Sequence, residues 1–361
     1  MERRRRRAVV FALAAAAGMT QIPAQAQPTP STSLLILSKQ NHTLAIVDPT
    51  TLRVVARVPV GEDPHEVIAS TDGRTAYVSN YGFGRYHTLA VIDLAKQKPL
   101  PTIDLGALRG PHGLVFVQGK VWFTAEAAKA IGSYDPATGK IDWIMGTGQN
   151  RTHMLYVFPD AKRILTTNVN SGTVTILDKT DHPAGMPPGP PPGMPAGASG
   201  GGPPPGPPPM PPGGDWLETV VPVGHGSEGF DVSPDGKEAW VANAQDGTIS
   251  IIDLGSKQVT ETLAANVPRA NRLKFTPDGK RVLVSAGPDL VVLDAATHKE
   301  IKRLAIGHGS GGVLIQPDGA RAYVAFSPDN FVAVIDLNTL SVVGKINAGG
   351  NPDGLAWAVT R

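Results

Sequence analysis

VGHGSEGFDVSPDGKEAWVANAQDGTISIIDL, residues 223–254, reads as strand, turn, strand, turn, strand. Residues 229–233 form a short alternating run that stops at Pro234-Asp235-Gly236, a turn sequence. Residues 239–242 form a second run, which stops at Asn243-Ala244-Gln245-Asp246-Gly247. Residues 248–253 are Ile-rich with period-two alternation, as a strand with two distinct faces requires. A fourth run at 258–263 completes four short strands in about 40 residues, the size of one propeller blade.

The unit recurs along the chain. Its most regular mark is an aspartate closing the third strand: Asp48, Asp93, Asp135, Asp178, Asp253, Asp294 and Asp336. Successive separations are 45, 42, 43, 75, 41 and 42 residues. The long one exceeds the others by about 32 residues, the length of a Pro/Gly-rich insertion at 183–214 inside the fourth unit. The count is therefore seven, and the expected fold is all-β: a seven-bladed β-propeller of four-stranded blades. The first unit holds only three strands, at 34–37, 43–48 and 54–60. Residues 354–359 supply the missing innermost one, so that the C-terminal strand closes the ring onto the N-terminal blade.

The second strands carry a resemblance. Ala76-Tyr77-Val78-Ser79-Asn80, Ala239-Trp240-Val241-Ala242-Asn243 and Ala322-Tyr323-Val324-Ala325 each follow a D-G turn and are similar to the YVTN-repeat β-propeller family. The similarity covers nearly all of residues 33–360. It implies the propeller fold and an exported binding or scaffold protein, and that family also includes surface proteins and relatives of lactonases. The third unit departs from the pattern at Val117-Gln118-Gly119-Lys120, and the sixth lacks the Asn after its second strand.

Residues 3–7 are five arginines, residues 8–17 are apolar, and Ala24-Gln25-Ala26 is an A-x-A cleavage site. This is an export signal over 1–26, so a periplasmic or secreted mature chain is expected, with one propeller domain over 27–361. The apolar run is too short to span a bilayer, and no other stretch reads as a membrane span. The formal net charge of +2 falls to about −2 once the leader is removed, and no basic stripe suggests nucleic acid. There is no cysteine, which excludes disulfides, covalent haem attachment and a cysteine nucleophile. The Pro/Gly insertion reads as a disordered loop, and a partner for it is one option. A monomer is expected.

The chemistry is expected at the mouth of the central channel. Aligning the segments that lead into each innermost strand gives one equivalent position per unit: His65, His112, His153, Glu228, Asn271, Gly311 and Asp353. Three histidines from consecutive units followed by a glutamate form a candidate metal site, His65, His112, His153 and Glu228. Imidazole and carboxylate together suit Zn, Cu, Fe or Ni and leave a position open. Glu126, at the end of a second strand, and Glu228 are candidate general bases. Asn80, Tyr81, Arg109, Arg151, Asn168, Arg269, Asn271 and Asp353 are candidate ligand-binding residues on the same face. The leading expectation is a periplasmic binding or scaffold protein holding a small molecule or protein ligand there. The alternatives are a metal-dependent hydrolase or lyase using that site, and a cell-surface structural protein.

Overall fold

The computed structural model describes residues 27–180 and 215–360; the expected export signal and the Pro/Gly insertion lie outside the described residues. Among the described residues, 28 strands form seven antiparallel four-stranded sheets. Blade 1 pairs Pro352–Val359 with Thr32–Ser38, Thr43–Asp48 and Arg53–Pro59, in that order outward. The remaining innermost strands are Pro64–Ala69, Pro111–Val117, Thr152–Val157, Ser227–Val232, Ala270–Phe275 and Ser310–Ile315, in blades 2 to 7. Each packs beside the innermost strand of the next blade, and the last packs beside blade 1, so the circle is complete.

The sequence pattern explains the packing. Second and third strands are buried on both faces because each blade is sandwiched between two others, so runs such as Leu34-Leu35-Ile36-Leu37 replace strict alternation. Outermost strands alternate or are exposed. The core consists of interfaces between neighbouring blades. Tyr77 packs with Phe123, Trp240 with Phe275, and Tyr323 with Leu34. The repeated aspartate caps the turn after the third strand. Asp48 Oδ1 accepts the Thr50 amide at 2.8 Å, Asp253 the Ser256 amide at 2.6 Å, and Asp336 the Thr339 amide at 2.8 Å. Asp178 departs: the chain runs on into the insertion, and its carboxylate pairs with Arg163 and Lys257, each at 2.6 Å.

The strands flanking the insertion, expected at 172–178 and 216–223, are Thr173–Lys179 and Trp216–Pro222. The Thr180 amide donates to Asp215 O at 2.7 Å, so the two ends of the insertion meet. Replacing residues 183–213 with a short Gly-Ser link should therefore leave the melting temperature within a few degrees of the parent. A large drop would show that the segment packs on the propeller. No helix among the described residues is long and apolar enough to cross a membrane.

Candidate functional site

Each innermost strand opens with a bulge, and the bulge falls on the ring position. In blade 2 the pairing steps from Pro64–Asn80 to Val67–Val78, so His65 and Glu66 share Ser79. The same step occurs at His112-Gly113, His153-Met154, Glu228-Gly229, Asn271, Gly311-Gly312 and Asp353-Gly354. An extra residue in a strand breaks the pleat and re-aims a side chain, here towards the axis. Two residues upstream the backbone is left-handed in six blades, at Asp63, Gly110, Arg151, Gly226, Arg269 and Asn351.

Hydroxyls on the second strands lock the bulges to their neighbours. Thr124 Oγ1 accepts the Gly113 amide at 2.9 Å and donates to His153 O at 2.6 Å. Thr167 links the Met154 amide to Glu228 O, and Ser285 links the Arg272 amide to Gly311 O. Gly113 is required for this approach: a Cβ there would lie 2.7 Å from His153 O. The histidines are thus placed by backbone interactions between blades.

Three side chains converge. The His112 and His153 ring centroids are 3.9 Å apart. His153 Nδ1 hydrogen-bonds to Glu126 Oε1, and Tyr81 OH donates to Glu126 Oε2 at 2.5 Å. Donor atoms of His112, Glu126 and His153 all lie within 4.8 Å of one another. Glu228 Oε2 is 3.0 Å from His153 Nε2, near enough for charge attraction but not aligned for a hydrogen bond. Among the described residues, seven buried side-chain polar atoms have no hydrogen-bond partner, and four of them are here: Asp63 Oδ2, His112 Nδ1, His153 Nε2 and Glu228 Oε2.

The environments set opposite charge states. Burial, reinforced by the charge of His153, pushes the His112 imidazole well below its ordinary value, so it is neutral. Burial also pulls His153 down, but the Glu228 and Glu126 carboxylates outweigh it and raise its pKa. Burial pushes Glu228 up, yet the cations around it, His153 first, hold it down at about 2. Arg151 adds to this, with Nε 3.6 Å from Glu126 Oε1 and Nη2 3.4 Å from Glu228 Oε1. From blade 6, Arg272 reaches across the channel to an ion pair with Glu66 of blade 2.

The sequence-derived residues divide into groups. His112, His153, Glu126 and Glu228 come together, with Tyr81 and Arg151 in contact with them. His65 stands beside them, its ring 4.9 Å from His112, but its Nε2 lies 2.8 Å from Lys39 Nζ and 3.1 Å from Asp63 Oδ1. Asp353 joins that second cluster, 3.3 Å from Lys39. Asn271 accepts from Arg272 at 3.0 Å. Arg109 and Arg269 are exposed on the rim.

Asn80 and Asn168 serve the blades. The Asn80 amide donates to Val60 O and Glu62 O, and the Asn168 amide to Thr173 and Thr175 hydroxyls. A solvated mouth was expected; instead His112 and His153 are only 3% and 2% exposed, because the bulges drive both rings inward beneath Tyr81 and Arg151.

Sequence reasoning missed Lys39, Asp63, Glu66 and Arg272. One signal was present. The residue after the ring position is Gly in blades 1, 3, 5 and 7, but Glu66, Met154 and Arg272 in blades 2, 4 and 6, and the glycines of blades 1, 3 and 5 let the backbone at these long residues approach closely. His225 and His308 lie outside the cluster, exposed and paired with Asp246 and Asp329.

No protein-family model matches the chain, and no curated protein sequence matches it. Solved structures do resemble it. A functionally unknown protein from Desulfotomaculum acetoxidans aligns with TM-score 0.68 and 13% identity, over 89% of this chain and 98% of that one. A provisionally described 6-phosphogluconolactonase from Bacteroides uniformis aligns with TM-score 0.67 and 14% identity, over 90% and 99%. Kuenenia stuttgartiensis hydrazine synthase aligns with TM-score 0.64 and 16% identity, over 90% and 99%. At these identities the likeness is one of fold, and the chain is a seven-bladed β-propeller with a buried His/Glu group on its axis.

Proposed function

We propose that this chain is an exported β-propeller of the YVTN-repeat kind that binds one divalent transition metal, Zn, Cu, Fe or Ni, on its axis. His112, Glu126 and His153 hold the ion, and one coordination position stays open to a small-molecule ligand. The observation that carries this reading is that donor atoms of the buried His112, Glu126 and His153 lie within 4.8 Å of one another, with His112 Nδ1 left without a hydrogen-bond partner. A buried nitrogen left unpaired costs about 1–3 kcal/mol, and a cation bound to His112 Nδ1 removes that cost.

The charges support the same reading. Lys39, Arg151 and Arg272 face the carboxylates Asp63, Glu66, Glu126, Glu228 and Asp353. With both imidazoles neutral, two negative charges remain, which a divalent ion balances. Two histidines and one carboxylate are a set that suits these metals.

Glu228 favours a second reading, the metal-dependent hydrolase or lyase. A bound metal would supply Lewis acidity. Glu228 Oε2 lies 3.0 Å from His153 Nε2, and with the His153 proton displaced by metal it would be the carboxylate to accept a proton from water in the open position.

The test is calorimetric titration of Zn, Cu, Ni and Fe into metal-stripped protein that carries no His tag. One-to-one binding of at least one ion is expected. Weak, non-stoichiometric binding of all four would leave a polar pocket without metal as the account.

A further inference from the structure

Blade 2 differs from the others at its mouth-side loop. Seven residues, Tyr81 to His87, join its second and third strands, where the other six blades use four or fewer. The extra length presents Phe83, whose side chain leaves the residue 80% exposed, the most exposed of the large apolar residues described. The backbone there is unusual. Gly82, Phe83 and Gly84 have φ of 56°, 52° and 82°, three consecutive left-handed residues with a non-glycine at the centre. A phenylalanine in that region is strained, and strain persists where surrounding structure enforces it.

The surroundings do enforce it. The Gly84 amide donates to Tyr81 O at 3.1 Å, the Arg85 amide to Gly82 O at 3.1 Å, and Arg85 Nε to Gly82 O at 3.2 Å. Gly84 packs against Gly110 and Ala127 of blade 3, and a Cβ on Gly82 would strike the Tyr86 ring at 2.4 Å. Phe83 is thus held outward on a pinned loop. It also stands at the end of an aromatic series leading inward. Its ring is 6.2 Å from Tyr81, which is 5.2 Å from His112 and 4.8 Å from His65. Tyr81 in turn bonds Glu126. A molecule reaching the unpartnered His112 Nδ1 from solvent along these rings would meet this series.

We propose that Phe83 is a specificity-determining residue for an aromatic ligand: a neutral compound whose donor atom occupies the open position of the metal and whose aromatic substituent extends outward to stack against Phe83 and Tyr81. This rests on the metal reading. Neutrality follows from charge, because a divalent ion already balances the surrounding residues. Aromaticity follows from offset or edge-on ring contact, which rewards a planar partner beyond simple burial. The rim arginines Arg85 and Arg109 are exposed, with Arg85 Nε already bonded to Gly82 O.

The experiment uses Co(II) as a visible-absorption probe in the full chain, with imidazole and 4-phenylimidazole as neutral donors of the same type. Phe83 is exposed, so Phe83→Ala leaves the core intact and should bind Co(II) as the parent does. In the parent the phenyl group should tighten binding about tenfold over imidazole. Phe83→Ala should lose that gain and Phe83→Trp should keep it, while imidazole itself binds all three alike. An equal phenyl gain in the parent and Phe83→Ala overturns the role of Phe83 and leaves the metal reading standing. Failure of the parent to bind Co(II) overturns the metal reading and this inference with it.

Discussion

Replacing His153 with alanine should have two separable effects. The metal should bind at least about a hundredfold more weakly, because one of three protein ligands is gone. The protein should also lose about 3–5 kcal/mol of stability, because Glu126 and Glu228 remain buried without the imidazole between them. His112→Ala is the control. It should weaken the metal comparably but cost less stability, since His112 is neutral and its Nδ1 has no partner to lose. Calorimetry and denaturant unfolding of both variants separate the two effects. Equal metal affinity in parent and His153→Ala would remove this site.

The same residues set a pH profile. His153 is raised above its ordinary 6.5, so its contribution is full below that value and is lost as pH rises through the raised pKa. His112 is lowered below 6.5, so its contribution is full above that value and is lost as pH falls. The metal-free protein should therefore be most stable near pH 6.5 with respect to these two groups. The alkaline decline should vanish in His153→Ala. Glu228, held at about 2 against an ordinary 4.5, adds a further loss only as pH falls below 4.5. Metal must displace the His153 proton, so apparent affinity should fall about tenfold per pH unit below the raised pKa, with about one proton released. Buffers of different ionisation enthalpy would measure that proton.

Deleting residues 355–361 should be the most damaging change of all. The last strand pairs Leu355 with Ile36 and Trp357 with Leu34, which closes blade 1. Ala356 and Ala358 lie in the core between blades 1 and 2, while Leu355 and Trp357 pack against the core between blades 7 and 1. The Trp357 indole donates to Ile315 O at 3.0 Å and its ring stands 5.4 Å from Tyr323. Losing Trp357 alone would cost about 3–5 kcal/mol, and a whole domain is stable by only about 5–15. The truncated chain should be unfolded or molten by circular dichroism at 25 °C. A cooperative melt like the parent's would mean the ring closes another way.

The fold was legible because the propeller repeats its own local chemistry. An aspartate ends each third strand and caps the turn in six of the seven blades, Asp178 alone pairing with Arg163 and Lys257 instead, so its period could be counted through the insertion. The ring positions were legible for the same reason, since each precedes a strand with one fixed geometry. What escaped was chemistry between blades without a period. Arg272 pairs with Glu66 at a sequence separation of 206 residues, and Lys39 leaves the first blade to reach His65. The sequence marks Glu66 and Arg272 as long residues after a ring position, but no local feature says that they pair, and none marks Lys39. The strand-end asparagines Asn80 and Asn168 share a mouth-side position, but their amides are turned to protein oxygens, Val60 O and the Thr175 hydroxyl, which the sequence did not show.

The central claim is that one metal sits among His112, Glu126 and His153. Anomalous X-ray scattering from crystals of the untagged protein loaded with one equivalent of zinc tests it most directly. The account predicts a single strong peak on the axis, about 2.0–2.1 Å from one nitrogen of each histidine and within bonding reach of a Glu126 oxygen. A peak at the exposed His225 or His308 instead, or none on the axis with zinc in excess, would contradict it.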